Sequence, residues 1–409
     1  MTISSQAAEP RPSAQGPGAA VTVTVLLVAS MTVMANATIS PSLPGLKAHF
    51  ADQPGIDTLA GLILTLPSAS VILAAGLFGW AADRWNRLAL LVFSLVCYGL
   101  GGASGLVAHS LTELLAGRAL LGLGVAGSMT LAMAYATDLW HGPARARYMG
   151  LQGAAMSGGG VVVMVLGGML AALHWRGAFA VYLIALPIAV AALVLLRPHT
   201  ARRGALASGV QPGEAANGPF PWPLFAFTGG LAFVFMSTFY MMPTRMPFRL
   251  AELGVTSSAF TGMIMAGMML AATPGALFYG VIRRHASAMT VFAASFALMA
   301  SGFLMISQTG ALPVSILGVF VAGLGIGPSM ANYTTYFLNR VPANQRGRAA
   351  GMLTTAFFAG QFSSPLVSAP LVNAFGIQGA FLVLSTIMAA ISVWLFGKVA
   401  RAGGLLAEA

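Results

Sequence analysis

The chain has 409 residues, of which 57% are hydrophobic and 7% charged, with 20 Lys and Arg against 9 Asp and Glu. A water-facing surface carries about 25% charged residues. The composition therefore excludes a soluble enzyme, a disordered chain and a disulfide-stapled secreted domain, and leaves a polytopic membrane protein. The one cysteine, Cys97, sits in an apolar run and reads as a small buried hydrophobe.

Residues 1–19 are polar and small, with Pro10, Pro12 and Pro17. They have neither the basic start nor the apolar core of a signal peptide, and predict a disordered cytoplasmic tail. A membrane helix needs about 20 mostly apolar residues. Twelve such segments follow, at 20–42, 58–81, 88–107, 111–137, 148–173, 177–197, 222–246, 257–282, 288–307, 312–338, 347–374 and 377–399. The stretch 198–221, rich in Ala, Gly, Pro and Ser, predicts a flexible cytoplasmic linker. It separates an N-terminal six-helix bundle (20–197) from a C-terminal one (222–400), with a cytoplasmic tail at 401–409. The predicted fold class is an all-α membrane protein of twelve transmembrane helices in two six-helix pseudo-repeats.

With the N-terminus inside, the basic residues sort by side. Lys47, Arg176, Arg245 and Arg249 fall at outer ends, Arg118 falls within span 4, and all the others fall in cytoplasmic segments. The net charge of +11 is thus a topology signal. Nucleic-acid binding wants basic residues clustered on one face with aromatics between them, and no such cluster exists. The predicted location is the cytoplasmic (inner) membrane, multi-pass, with both termini inside.

An offset of 201 residues aligns the two halves. It places Gly122-Leu123-Gly124-Val125-Ala126-Gly127-Ser128-Met129 on Gly323-Leu324-Gly325-Ile326-Gly327-Pro328-Ser329-Met330. It also pairs Gly79 with Gly280, Tyr135 with Tyr336, Asp138 with Asn339, Arg145 with Arg346 and Arg147 with Arg348. Parallel six-helix repeats joined by a cytoplasmic linker are the layout of one large transporter class.

The loop between spans 2 and 3 reads Gly79-Trp80-Ala81-Ala82-Asp83-Arg84-Trp85-Asn86-Arg87. With the repeat, it resembles the major facilitator superfamily, and within it the twelve-helix drug:proton antiporter-like exporters, over residues 20–400. The family pattern there is Gly-x-x-x-Asp-Arg-x-Gly-Arg. Asn86 replaces the last glycine and, like glycine, tolerates a left-handed backbone. The resemblance implies that Gly79, Asp83, Arg84 and Arg87 form a conformational latch with Asp138 at the end of span 4; topology-setting charge is the alternative. The second-half copy has Arg284 where Asp83 stands, so the latch is one-sided.

Span 4 carries Arg118 in Gly117-Arg118-Ala119-Leu120-Leu121-Gly122, resembling the family's Arg-x-x-x-Gly element, whose arginine is tied to proton coupling. A charge at membrane depth must face the bundle interior or a watery cavity. Its counterpart is Val319, so the architecture does not demand it. Glu113, five residues away, is the candidate proton carrier; a structural arginine is the alternative. If Glu113 carries the proton, Glu113→Gln lowers proton-driven transport. Span 5 keeps Gly159 and Gly167-Gly168 of the antiporter pattern, with Val163-Met164 in place of its Gly-Pro. No acid falls mid-span, so Asp83 with Asp138 is the other candidate for coupling.

The repeat places a substrate cavity between the halves. Candidate lining residues are Asn36, Thr38, Gln152, Tyr240, Asn332, Tyr333, Phe358 and Gln361, with helix packing as the alternative role for each. Arg245, at the outer end of span 7, either meets an anionic substrate or snorkels. No metal-ligand cluster, phosphate loop or nucleophile elbow is present, so neither enzyme activity nor a cofactor is expected. The expected partners are a small-molecule substrate, protons from a gradient and the lipid bilayer, with no nucleic acid and a monomeric state. The expected function is proton-coupled efflux of amphipathic molecules. Alternatives are a dedicated exporter of a polar or anionic metabolite, such as a siderophore-like chelator, and a non-transporting sensor or scaffold.

Overall fold

The computed structural model describes residues 17–200, 219–308 and 310–401. Residues 1–16 and 402–409 of the predicted tails, and 201–218 of the predicted linker, lie outside the described residues. Among the described residues there is no strand. The membrane-length helices are α1 (Ala19–His49), α2 (Ile56–Arg84), α3 (Arg87–Leu106), α4 (Leu111–Leu139), α5 (Gly142–Leu173), α6 (Trp175–Leu195), α7 (Trp222–Glu252), α8 (Ser258–Leu277), α9 (Ala288–Gln308) and α10 (Leu312–Leu338). They are followed by a run of 56 residues, Arg346–Arg401. That run breaks at Gly376, whose φ of 70° no helical residue adopts. The break divides it into α11 (346–375) and α12 (377–401) and gives twelve spans. Helices of 29 residues such as α2 and α4 extend about 43 Å, enough to cross a hydrocarbon core of about 30 Å.

Local chemistry sets the boundaries. Ser110 Oγ accepts the Glu113 amide at 3.2 Å and starts α4. Asn86 Oδ1 accepts the Leu88 and Ala89 amides at 2.9 and 3.3 Å and starts α3. The backbone of Asn86 is extended (φ −65°, ψ 112°), so this residue replaces the family glycine as a cap and not as a left-handed turn. Two predicted spans shift. The helix of span 7 runs on to Glu252. Span 8 stops at Leu277, just after Pro274, and a separate turn of helix covers Tyr279–His285.

Two buried clusters form the core. One is drawn from α1–α6 with Phe358 added; the other comes from α7–α12 and Phe220, with Ala37 and Met164 added. Leu73, Leu77, Leu173 and Val393 point outward on the apolar belt that a bilayer would cover. Glycine contacts recur in both halves at the offset of 201. A Cβ on Gly122 would meet Pro67 O at 2.5 Å, and one on Gly323 would meet Met268 O at 2.5 Å. A Cβ on Gly124 would meet Ser94 O at 2.6 Å, and one on Gly325 would meet Ser295 O at 2.8 Å. A Cβ on Gly101 would meet Leu121 N at 2.5 Å, and one on Gly302 would meet Ala322 N at 2.8 Å. These glycines let the helix backbones approach without side chains between them.

The halves converge at one end and part at the other. At the end holding the start of α2 and α8 and the finish of α5, a Cβ on Gly168 would meet Ser258 O at 2.7 Å and one on Gly262 would meet Met164 O at 2.7 Å. There too, a Cβ on Gly61 would meet Pro365 Cβ at 2.6 Å. Further along the same helices, Gly76 and Gly79 of α2 and Gly150, Gly153 and Gly158 of α5 face open space. The first end is the seal; the second, marked by Arg84 and Arg346, is the mouth.

Candidate functional site: the cleft between the halves

Between the two halves lies a cavity of about 470 Å³. Val71, Ile72, Ala75 and Gly76 of α2 and Met129 and Thr130 of α4 line one wall; α11 lines the other with Arg348, Gly351, Met352, Thr354, Thr355 and Phe358. No carboxylate is in this lining. Its one charged group is Arg348, whose guanidinium stacks 5.0 Å from the Phe220 ring and 5.4 Å from Trp222. Volumes of 300–1,000 Å³ are typical of small-molecule sites.

About one helical turn deeper on α2 and α11 sits a polar cluster drawn from four helices. Gln361 Oε1 accepts Ser68 Oγ at 3.0 Å and Asn36 Nδ2 at 3.4 Å; Asn36 Nδ2 also reaches Ser68 Oγ at 3.4 Å and Tyr240 Oη at 3.3 Å. Asn36, Tyr240 and Gln361, predicted separately for the cavity, are brought together here. Asn36 Oδ1 is buried and accepts no hydrogen bond among the described residues. A buried acceptor without a donor is costly and uncommon.

Four other predicted cavity residues do not line the cleft. Thr38 is fully buried and donates to Met34 O at 2.6 Å. Asn332 donates to Ala288 O at 2.9 Å and accepts Tyr279 Oη at 3.0 Å, which fastens α10 inside its own half. Tyr333 donates to Leu231 O at 3.2 Å inside the second core. Gln152 on α5 leaves Oε1 buried without a partner among the described residues.

Arg118 is completely buried. Its Nη1 donates to Tyr182 Oη at 3.1 Å and its Nη2 to Gly102 O at 2.9 Å, and the guanidinium lies 4.9 Å from the Phe179 ring and 4.8 Å from the Tyr182 ring. Aromatic faces and neutral oxygens thus compensate the charge. Tyr182 Oη in turn donates to Ala35 O at 2.7 Å, which links Arg118 to the residue beside Asn36. The structure does not join Glu113 to Arg118. Glu113 Oε2 accepts the His109 amide at 2.8 Å, and with Ser110 it caps the exposed start of α4.

At the mouth, Arg87 forms an ion pair with Asp138, donates through Nε to Ala82 O at 3.2 Å and lies 3.9 Å from Asp83. Arg84 covers the Trp80 ring at 4.5 Å. Gly79 faces open space. The predicted acid–base set therefore assembles within the first half, with Arg87 as the partner of Asp138.

At the seal, Arg245 is buried: Nη1 donates across to Asp57 O of the first half, and Nε donates to Ser368 Oγ of its own half, both at 3.1 Å. Ser40 Oγ donates to Pro243 O at 2.6 Å, and Lys47 pairs with the Asp57 carboxylate. Arg245 is a tie and not a snorkelling side chain. Ser68 and Tyr182 escaped the sequence reading. For Tyr182 a signal existed: Arg118 and Tyr182 both have valines, Val319 and Val383, at the repeat offset.

The sequence model of the Major Facilitator Superfamily matches residues 25–365 and, in a second match, residues 246–407. A triacylglyceride transporter of Mycolicibacterium hassiacum is 26% identical over 361 residues, 71% of this chain and 67% of that protein. The bacillibactin exporter of Bacillus subtilis is 30% identical over 149 residues (35% of this chain, 36% of that protein). The class C tetracycline resistance protein of Escherichia coli is 30% identical over 158 residues (38% and 39%). The last two are matched over well under half of their length. Among solved structures, the nucleoside transporter NupG superposes with a TM-score of 0.76 at 11% identity, covering 92% of this chain and 100% of that one.

Proposed function

The chain belongs to the Major Facilitator Superfamily, and we propose that it is a proton-coupled exporter of amphipathic small molecules working by alternating access. The observation that carries this reading is the cleft between the halves, open at the mouth and tied shut at the seal. With the mouth on the cytoplasmic side, as the arginine bias implies, this is the loading state of an exporter of the inner membrane.

The substrate enters beside Met129, Met352 and Phe358, whose flexible apolar surfaces suit varied shapes. It reaches the Asn36–Ser68–Tyr240–Gln361 cluster, where a donor on the substrate satisfies Asn36 Oδ1. A carboxylate-free lining with one guanidinium gives no counter-charge to an organic cation, so neutral and anionic amphiphiles are the preferred class. That same observation keeps export of a dedicated anionic metabolite as the second reading. We assign proton coupling to the Asp83–Arg87–Asp138 set, because Glu113 is committed to a helix cap.

The test is reconstitution into liposomes with an imposed pH gradient and a panel of neutral, cationic and anionic amphiphiles. Gradient-driven movement of neutral or anionic members is expected, with Gln361→Ala slowing it about tenfold, the worth of one lost buried hydrogen bond. A panel in which nothing moves with the gradient, or only cations do, overturns the reading.

A further inference from the structure

Arg245 is a buried cation whose hydrogen bonds go to neutral oxygens. It is 2% exposed, and its bonds are with the backbone carbonyl of Asp57 and the hydroxyl of Ser368. Its Nη2 is buried and holds no hydrogen bond among the described residues. The basic residues around it are balanced otherwise: Lys47 pairs with the Asp57 carboxylate, and Arg249 with Glu252. A buried guanidinium without a paired anion is costly. A tie between the halves does not need one, because an amide side chain donates to a carbonyl and a hydroxyl with no charge to desolvate. The repeat does not need one either, since the offset of 201 places Pro44 at this position in the first half.

Arg245 stands at the end of a polar line that starts in the cleft. Gln361, Ser364 and Ser368 recur at i, i+3 and i+7 along α11, on one face of the helix. Gln361 belongs to the cluster deep in the cleft, and Ser368, about 10 Å further along the axis, holds Arg245. Between them, Ser364 Oγ is buried and without a partner among the described residues. Three polar atoms from cleft to seal are therefore unpartnered: Asn36 Oδ1, Ser364 Oγ and Arg245 Nη2. Native interiors leave few such atoms, and a ligand passing along the line would satisfy each in turn. With Arg348 in the cleft lining, the line begins and ends on a guanidinium.

We propose that Arg245 receives the carboxylate head of an anionic substrate on its way out, and that this exchange releases the seal. The carboxylate first meets Nη2. It then takes the place of Asp57 O on Nη1 and becomes bidentate, the geometry a guanidinium fork favours. That second bond forms only once Asp57 O has let go. The anion therefore binds the released state more tightly than the sealed one, which is the condition for shifting the equilibrium towards it. A neutral head offers no charge to Nη2 and shifts it less. The proposal rests on the reading of the cleft as the transport site and favours amphipathic carboxylates among its substrates.

The test compares dansylglycine with its neutral twin, dansylglycinamide, on the full-length protein in nanodiscs. Dansyl fluorescence reads occupancy of the cleft by either probe. In a Cys97→Ala background, Ser42→Cys, at a position buried at the seal, reads release of the seal through its rate of reaction with an impermeant maleimide. Both probes are expected to bind, and dansylglycine alone to speed labelling, about tenfold, the effect of one hydrogen bond to a charged group. This contrast needs no change at Arg245 and so decides the proposal even where a variant folds poorly. In Arg245→Gln, labelling is expected to be fast without any probe, and the binding preference for dansylglycine over dansylglycinamide to fall about tenfold. Loss of a merely structural tie would weaken both probes alike. Binding of both probes with equal effects on labelling, or a preference that Arg245→Gln leaves unchanged, overturns the proposal and leaves the cleft as the transport site. Binding of neither probe overturns both.

Discussion

The two ends of the bundle hold the halves by different means. At the seal, contact is backbone on backbone: Gly168 against Ser258 and Gly262 against Met164, overlaid by the buried Arg245 tie to Asp57 and Ser368. At the mouth, glycines on the same helices face open space, and the charged set around Arg87 closes on itself within the first half. The difference teaches how a carrier can favour one state without being fixed in it. Close packing gives the seal its fit, while its polar ties are few and can be exchanged. The mouth keeps an intact set of charges ready for the state in which it closes.

The sharpest way to break the comparison is to fill the seal. Gly168→Val puts a branched side chain where even a Cβ would lie 2.7 Å from the Ser258 carbonyl and 3.0 Å from Gly262 Cα. Overpacking of this kind costs about 1–3 kcal/mol, and here both partners are backbone and cannot rotate away. Loss of transport in liposomes and a lower melting temperature are expected. Gly153→Val, on the same helix at the mouth, meets open space and is expected to melt within error of the wild type. Equal damage from both removes the distinction between the ends.

Next in size is the tie. Arg245→Met deletes two hydrogen bonds from a charged donor, each worth about 1.5–3 kcal/mol; the one to Asp57 O spans the halves and the one to Ser368 holds the guanidinium in place from its own half. The opposite state should gain population at least about tenfold. In a Cys97→Ala background, a probe cysteine introduced as Ser42→Cys, at a position buried at the seal, is expected to react correspondingly faster with an impermeant maleimide. An unchanged labelling rate means that packing alone holds the seal.

These two tests also measure what the sequence made legible. Twelve apolar runs and an offset of 201 were enough for the fold, because a membrane helix has a required length and a packed repeat keeps its glycines. The mouth was readable because Gly79, Asp83, Arg84 and Arg87 fall in one contiguous motif, to which only Asp138 is added from the end of span 4. The seal was not: Arg245, Asp57 and Ser368 are far apart in the chain and of ordinary types, and only the fold brings them together. The cavity was partly readable. Asn36, Tyr240 and Gln361 were singled out as polar residues in apolar spans, but polarity alone did not separate them from Asn332 and Tyr333, whose hydrogen bonds are spent inside their own half.

A smaller effect is expected at the mouth. Asp138→Asn removes the partner of Arg87, but Asp138 is 47% exposed and an ion pair at that exposure contributes at most about 1 kcal/mol. The melting temperature should therefore barely move. Transport should respond through pH: if Asp138 takes up the coupled proton, the wild-type rate depends on pH and the Asn variant loses that dependence. Measuring the initial rate against pH in liposomes distinguishes them, and parallel profiles would remove Asp138 from the coupling set.

The smallest effect is expected from Glu113→Gln, and this makes it the cleanest control. Glu113 accepts the His109 amide, while its own amide is held by Ser110 Oγ. A glutamine side chain can accept the same amide in the same place. What is lost is only the favourable charge at an exposed helix N-terminus, where solvent screens it. Arg118 takes no charge from Glu113, because its hydrogen bonds go to Tyr182 and Gly102. The variant should therefore transport at the wild-type rate with the wild-type pH profile, while Tyr182→Phe, which removes an acceptor from buried Arg118 and a donor from Ala35, should not. A Glu113→Gln protein that has lost its response to the gradient would return proton coupling to the start of α4, at the seal end, and would exchange the roles assigned to the two ends.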